Sequence, residues 1–147
     1  MIQSLDADVI GPSGLDGREV DLIVREVHLA LGGGPALCVG PHARALVLAF
    51  LRLGVDAFGL EQRAERAEAS NRLAAGRFTV GDCESLPYEH RRFAVVVMVD
   101  SSTSAGRPSE RLVEELSRVV RRSVYIRLLA GTAGVPLEGV RALWEAQ

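Results

Sequence analysis

The chain has 147 residues, 48% of them hydrophobic and 24% charged, which excludes a disordered tail and suits one domain burying about two-thirds of its unfolded surface. Its net charge of −2, with no basic stripe, leaves no footprint for nucleic acid. All 17 cationic residues are arginine, so a lysine Schiff base and a P-loop lysine are excluded.

Residues 1–16 read as a polar arm containing glycine and proline, and the opening MIQSLDADVIG lacks the charged start and apolar core of a secretory signal. From Arg18 to Leu31, the residues Val20, Ile23, Val24, Val27 and Leu31 share one helical face. Gly32-Gly33-Gly34-Pro35 stops that helix and turns the chain into a short apolar strand, Leu37-Cys38-Val39. Gly40-Pro41 breaks the strand, and Ala43 to Leu53 has helical spacing again. A helix that starts just past a strand aims its free N–H groups and positive dipole end at one spot, which suits an anionic or polar nucleotide group.

Val55 to Leu60 predicts a second strand closed by Glu61, and Gln62 to Ala75 an Ala/Glu/Arg-rich helix ended by Gly76. A short third strand, Arg77 to Val80, leads to Gly81-Asp82. The valine-rich run Phe93 to Val99 is continuous enough for the centre of a parallel sheet covered on both faces. Asp100 to Pro108 reads as a polar loop. Ser109 is a candidate N-cap for an amphipathic helix carrying Leu112, Val113, Leu116, Val119 and Val120 and running to about Arg122. A fifth strand spans Val124 to Leu129, and residues 130–147 give a loop and a last helix opened by Pro136, with Val140, Leu143 and Trp144 inward.

This alternation predicts a single α/β domain with a doubly wound, mostly parallel sheet of about five strands. Loops after successive strands converge on one edge of such a sheet, so Gly40, Glu61, Asp82 and Asp100 would line one crevice. The two cysteines, Cys38 and Cys83, are too few for a disulfide framework and too far apart for a CxxC motif. Reduced thiols and the absence of a membrane-length apolar run lead to the expectation of a soluble, cytoplasmic protein without membrane contact. No metal-ligand spacing and no Ser/His/Asp order stands out.

The segment Gly81-Asp82-Cys83-Glu84-Ser85-Leu86-Pro87-Tyr88 resembles the G-D-x-x-x-L-P-[FY] motif of the class I S-adenosylmethionine-dependent methyltransferases. Glu61 matches the acid that closes the family's second strand, and Leu116 to Arg121 resembles the helix before its fifth strand. The resemblance covers roughly Asp16 to Leu129 and implies a Rossmann-like methyltransferase fold, here without the usual last strands. It implies S-adenosylmethionine or S-adenosylhomocysteine as ligand, with Gly40, Glu61, Asp82 and Cys83 as cofactor-binding positions. In the family the strand-end acid accepts from both ribose hydroxyls, and the Asp of the G-D motif takes the adenine amino group.

Departures cluster in the glycine-rich turn. Cys38 replaces the family's acid, and His42 and Arg44 stand at the second and third glycine places. A cation such as Arg44 beside a sulfonium is electrostatically adverse unless its side chain turns away. From these departures and the short C-terminal segment we expect a catalytically degenerate accessory or regulatory subunit with no assigned catalytic residue. It would form a homodimer or pair with another methyltransferase subunit, because a fifth strand at the sheet edge needs cover. The alternative is an active small-molecule methyltransferase whose acceptor site a partner completes, with His42 or Asp100 as base.

Each residue also has a purely structural reading. Gly40 suits a tight turn, Glu61 a solvated carboxylate, Asp82 a turn cap, Cys38 a small core residue, and His42 a solvated loop histidine.

Overall fold

The computed structural model describes residues 16–31, 33–100 and 109–128. Helix α1 (Gly17–Leu31) leads to β1 (Ala36–Val39), then α2 (Ala43–Arg52), β2 (Ala57–Glu61), α3 (Ala64–Leu73) and β3 (Phe78–Val80). There follow β4 (Phe93–Asp100), α4 (Glu110–Val119) and β5 (Val120–Leu128). The strands form one sheet in the order β3-β2-β1-β4-β5, with every neighbouring pair parallel. The arm, the loop 101–108 and the C-terminal loop and helix lie outside the described residues, as do the side chains of Leu31 and Asp100.

Strand periodicity sorts the core into two layers. In β1, Ala36 and Cys38 pack with Val20, Ile23, Val24 and Val27 of α1 and with Val47 and Phe50 of α2. Leu37 and Val39 point the other way, onto Leu112, Leu116 and Val119 of α4. Successive side chains of a strand alternate faces, so a strand flanked on both sides must be apolar throughout. The same split runs along β4, with Val95, Val97 and Val99 in the first layer and Val96 and Met98 in the second. This explains the unbroken valine run.

Two expected strand starts move by more than one residue. The fifth strand starts at Val120 rather than Val124, directly after the last residue of α4. Val119 and Val120 are both buried, and Val120 pairs with Phe93, so the register of β4 takes the residue that helical spacing also fits. The second strand starts at Ala57 rather than Val55, because the Val55 N–H donates to the Phe50 carbonyl oxygen at the end of α2. Ser109 is an N-cap, its hydroxyl accepting from the Leu112 N–H at 3.1 Å. Such a cap contributes about 1 kcal/mol.

No described helix spans the link from β3 to β4, residues 81–92. The aromatic surface there is covered by arginine. The Arg92 guanidinium lies 5.2 Å from the Phe58 ring centre and 4.9 Å from that of Phe93, and Arg77 lies 4.9 Å over Phe58. Flat, weakly hydrated guanidinium groups can stack on rings while keeping their charge in water.

Candidate functional site

Strand order reverses between β1 and β4, and at such a switch point neighbouring loops part to leave a crevice beyond the carboxyl ends of the strands. There the chain leaves β1 through Gly40, whose φ is +91°. A Cβ on Gly40 would lie 3.3 Å from the Val99 carbonyl oxygen and 3.5 Å from Met98 Cγ, so both the backbone sign and the close approach of β4 call for glycine. A cavity of about 450 Å³ opens beside this turn. Gly40, Glu61, Asp82 and Cys83 all line it, together with Arg63, Arg66, Glu84, Met98, Ser109 and Leu112.

Glu61 ends β2 and is 5% exposed, which replaces the solvated-carboxylate reading. Its Oε2 accepts from the Ser70 hydroxyl at 2.8 Å, and Ser70 accepts in turn from Arg44 Nε at 2.8 Å. Arg66 Nε stands 3.6 Å from Glu61 Oε1. A buried carboxylate keeps its charge only with such compensation. The first turn of α2, the end of β2 and one face of α3 are thereby joined through the Ser70 hydroxyl.

Asp82 is carried in by the same sheet. Glu61 lies in register with Val80, and the Gly81 N–H donates to the Glu61 carbonyl oxygen at 2.9 Å, so Asp82 follows two residues beyond the strand. Asp82 is exposed, and its Oδ1 accepts from the Glu84 N–H at 2.9 Å, closing a turn. Helix α4 clips this loop in place. Ser109 donates its hydroxyl to Glu84 Oε1 at 3.0 Å, and Arg111 Nε donates to the Glu84 carbonyl oxygen at 2.9 Å. Glu115 Oε1 accepts from the Leu86 N–H at 2.7 Å, while Arg118 donates to the carbonyl oxygens of Leu86 and Tyr88 and, through two nitrogens, to Glu115. The Arg118 hydrogen bond, helped by the Leu86 N–H, holds the Glu115 carboxyl below its usual range. The Tyr88 phenol is pushed up, chiefly by burial, as it stands edge-on to Phe93 at 4.9 Å.

The glycine-rich turn differs from expectation. His42 is 0% exposed and does not line the cavity, so the reading as a solvated loop histidine is corrected, and its burial removes it from the place where an acceptor's proton would be taken. Arg44 does not line the cavity either: its side chain crosses from α2 to Ser70 of α3. Cys38 is 0% exposed in the apolar layer under α1 and α2, and burial pushes its thiol far up, so it is a neutral core residue. Cys83 is half-buried at the cavity wall beside the α4 layer.

Sequence reasoning missed Ser70 and Arg66. Their only signal is helical spacing, since Arg66, Ala67 and Ser70 fall three and four apart on one face of α3. Among the described residues, no group of His, Cys, Asp and Glu is arranged to hold a metal ion, and no helix is long and apolar enough to cross a membrane.

A parallel sheet with this strand order, crossed by helices and carrying an acid at the end of β2 and a Gly-Asp turn after β3, defines a Rossmann-like methyltransferase fold. The chain belongs to the methyltransferase-domain family, whose model matches residues 37–128. No curated protein matches the sequence. Among solved structures, a protein from Pyrococcus horikoshii is 18% identical with a TM-score of 0.59, covering 81% of this chain and 63% of its own. A SAM-dependent methyltransferase from Methanosarcina mazei is 23% identical with a TM-score of 0.57, covering 70% of this chain and 55% of its own. The Haloferax volcanii complex between the Trm112 methyltransferase activator and a candidate methyltransferase holds a chain 20% identical with a TM-score of 0.54, covering 77% and 57%. At these identities the likeness is one of fold. The chain spans 55% to 63% of the length of those three.

Proposed function

We propose that the chain binds S-adenosylmethionine or S-adenosylhomocysteine in the cavity beside Gly40 and serves as an accessory or regulatory subunit of the methyltransferase family. One observation carries the ligand assignment: Gly40, Glu61, Asp82 and Cys83, from three separate crossover units, line one cavity of about 450 Å³. That volume lies within the roughly 300–1,000 Å³ typical of small-molecule sites. The donor set fits the ligand as well. An ionised Glu61 only accepts hydrogen bonds, which matches the two hydroxyls of a ribose, and Asp82 can accept from an adenine amino group with Cys83 beside the ring. Gly40 brings bare backbone to the cavity wall, where the amino-acid end of the ligand would lie. S-adenosylmethionine, when bound, supplies an electrophilic methyl group; the residues named here bind and orient it.

The accessory role is favoured by the placement of one candidate base, His42. His42 is buried outside the cavity, and no histidine lines it among the described residues. Partner pairing is favoured by β5, which ends the strand order among the described residues. The partner would be a second copy or another methyltransferase subunit. The Haloferax volcanii neighbour, solved as a complex with an activator, is a precedent for such pairing at the level of fold.

Thermal unfolding with S-adenosylmethionine, S-adenosylhomocysteine and NAD tests the ligand. An adenosyl ligand at a hundred times its Kd stabilises by about 2.7 kcal/mol, and NAD gives no shift. No shift with either adenosyl compound ends the proposal. Sedimentation at high concentration tests the pairing, a monomer counting against the homodimer.

A second reading, an active methyltransferase whose acceptor pocket a partner completes, is favoured by Arg44 leaving the described cavity clear. Reproducible transfer of labelled methyl into a cell extract supports it, and no transfer under cofactor saturation supports the accessory role.

A further inference from the structure

We propose that Arg44 and Ser70 are positioning residues that orient Glu61 as an acceptor for a ribose diol, so that the arginine in the glycine-rich turn builds the ligand site instead of spoiling it. The proposal rests on the ligand reading above.

The argument is one of hydrogen-bond polarity. A serine hydroxyl has one proton and two acceptor lone pairs, whereas a guanidinium N–H can only donate. Arg44 Nε, 2.8 Å from Ser70 Oγ, therefore occupies a lone pair of that oxygen. The single Ser70 proton is left for Glu61 Oε2, 2.8 Å away. Ser70 is 0% exposed, so no water stands ready to replace either partner if the acid turns. The relay from Arg44 through Ser70 thus fixes which oxygen of Glu61 faces the protein.

The other oxygen meets Arg66 Nε at 3.6 Å, an ion pair beyond hydrogen-bonding distance. Arg66 lines the cavity with Glu61, while neither Arg44 nor Ser70 does. Two residues behind the wall hold the acid, which leaves Oε1, the oxygen paired with the cavity-lining Arg66, to accept from the ligand. A fixed acceptor selects a ligand with donors at that point. It favours the free 2′- and 3′-hydroxyls over a sugar that lacks them, since a buried polar group left unpaired is costly.

The test measures binding by calorimetry of S-adenosylhomocysteine and of its 2′,3′-dideoxy analogue to the wild type, Ser70→Ala, Arg44→Ala and Ser70→Thr. Loss of the orienting bond should weaken S-adenosylhomocysteine about ten-fold in Ser70→Ala and Arg44→Ala, while the dideoxy analogue changes by less than about two-fold. Ser70→Thr, which keeps the hydroxyl, should restore the discrimination. Arg44→Met, which keeps the length of the stem but has no donor, carries the same comparison if Ser70→Ala fails to fold, and binding of the dideoxy analogue reports that each variant retains its site. Equal loss for both ligands, or wild-type discrimination in every variant, overturns the positioning role alone. A wild type that binds both ligands equally also overturns it and leaves the ligand reading standing. A wild type that binds neither overturns both.

Discussion

The turn after β1 and the ends of β2 and β3 treat the family's motifs in opposite ways. Beyond β2 and β3 the family's acids are present, at Glu61 and Asp82, and both reach the cavity wall. Along β1 and the turn after it three motif positions differ, yet Gly40 alone of that stretch's motif positions lines the cavity. Cys38 faces the apolar layer, His42 is buried, and Arg44 crosses to α3. A motif departure therefore measures a change of residue, while its effect on the site depends on where the side chain goes. Here the changed side chains leave the cavity, and one of them braces the acid of the other region.

The sharpest way to break this contrast is to restore the family's acid with Cys38→Asp. Placing a carboxylate at a fully buried position of the α1–α2 layer should cost about 3–5 kcal/mol, read from urea unfolding. A cost below about 1 kcal/mol would mean that the layer already offers a polar partner, and the contrast would fail. Next in size, Gly40→Ala should lose about 1–2 kcal/mol, because an L-residue at φ +91° is strained and its Cβ meets the Val99 carbonyl oxygen. An unchanged unfolding midpoint would show that the turn relaxes freely.

In the second region the effects move from stability to binding. Asp82 is exposed, so Asp82→Ala should change stability by only about 0.5 kcal/mol. It should weaken S-adenosylhomocysteine about ten-fold, the worth of one hydrogen bond to a charged group. The reverse result, with lost stability and intact affinity, would make Asp82 a turn cap only. The smallest effect comes from the clip on that loop. Glu115 is held below its ordinary value, first by the Arg118 hydrogen bond, so its contribution is complete above the unfolded pKa of about 4.3 and is lost as pH falls through the depressed folded value. Comparing unfolding midpoints at pH 6 and pH 3 for wild type and Glu115→Gln should show a smaller acid loss in the variant. Equal losses would place the acid sensitivity elsewhere.

Composition and periodicity made the sheet legible before any coordinates. The run Phe93 to Val99 is apolar at every position because β4 is buried on both faces, and spacing alone put Glu61 and Asp82 at strand ends. The start of β5 was illegible because Val119-Val120 satisfies a helix face and a strand core equally, and only pairing with Phe93 separates them. The β2 boundary moved for a similar reason, as Val55 caps α2 through its N–H.

Local sequence thus determined the alternating elements, the parallel sheet and the order in which the acids arrive, since each follows from spacing within one segment. Tertiary structure decided what the turn after β1 does. The direction taken by Arg44 depends on Ser70, 26 residues further along the chain, and that of Glu61 on Ser70, nine residues away on another element. No short window of sequence contains all three residues together. Their meeting depends on the packing of α2 and α3 beside one sheet, and buried hydrogen bonds then leave each side chain a single economical direction.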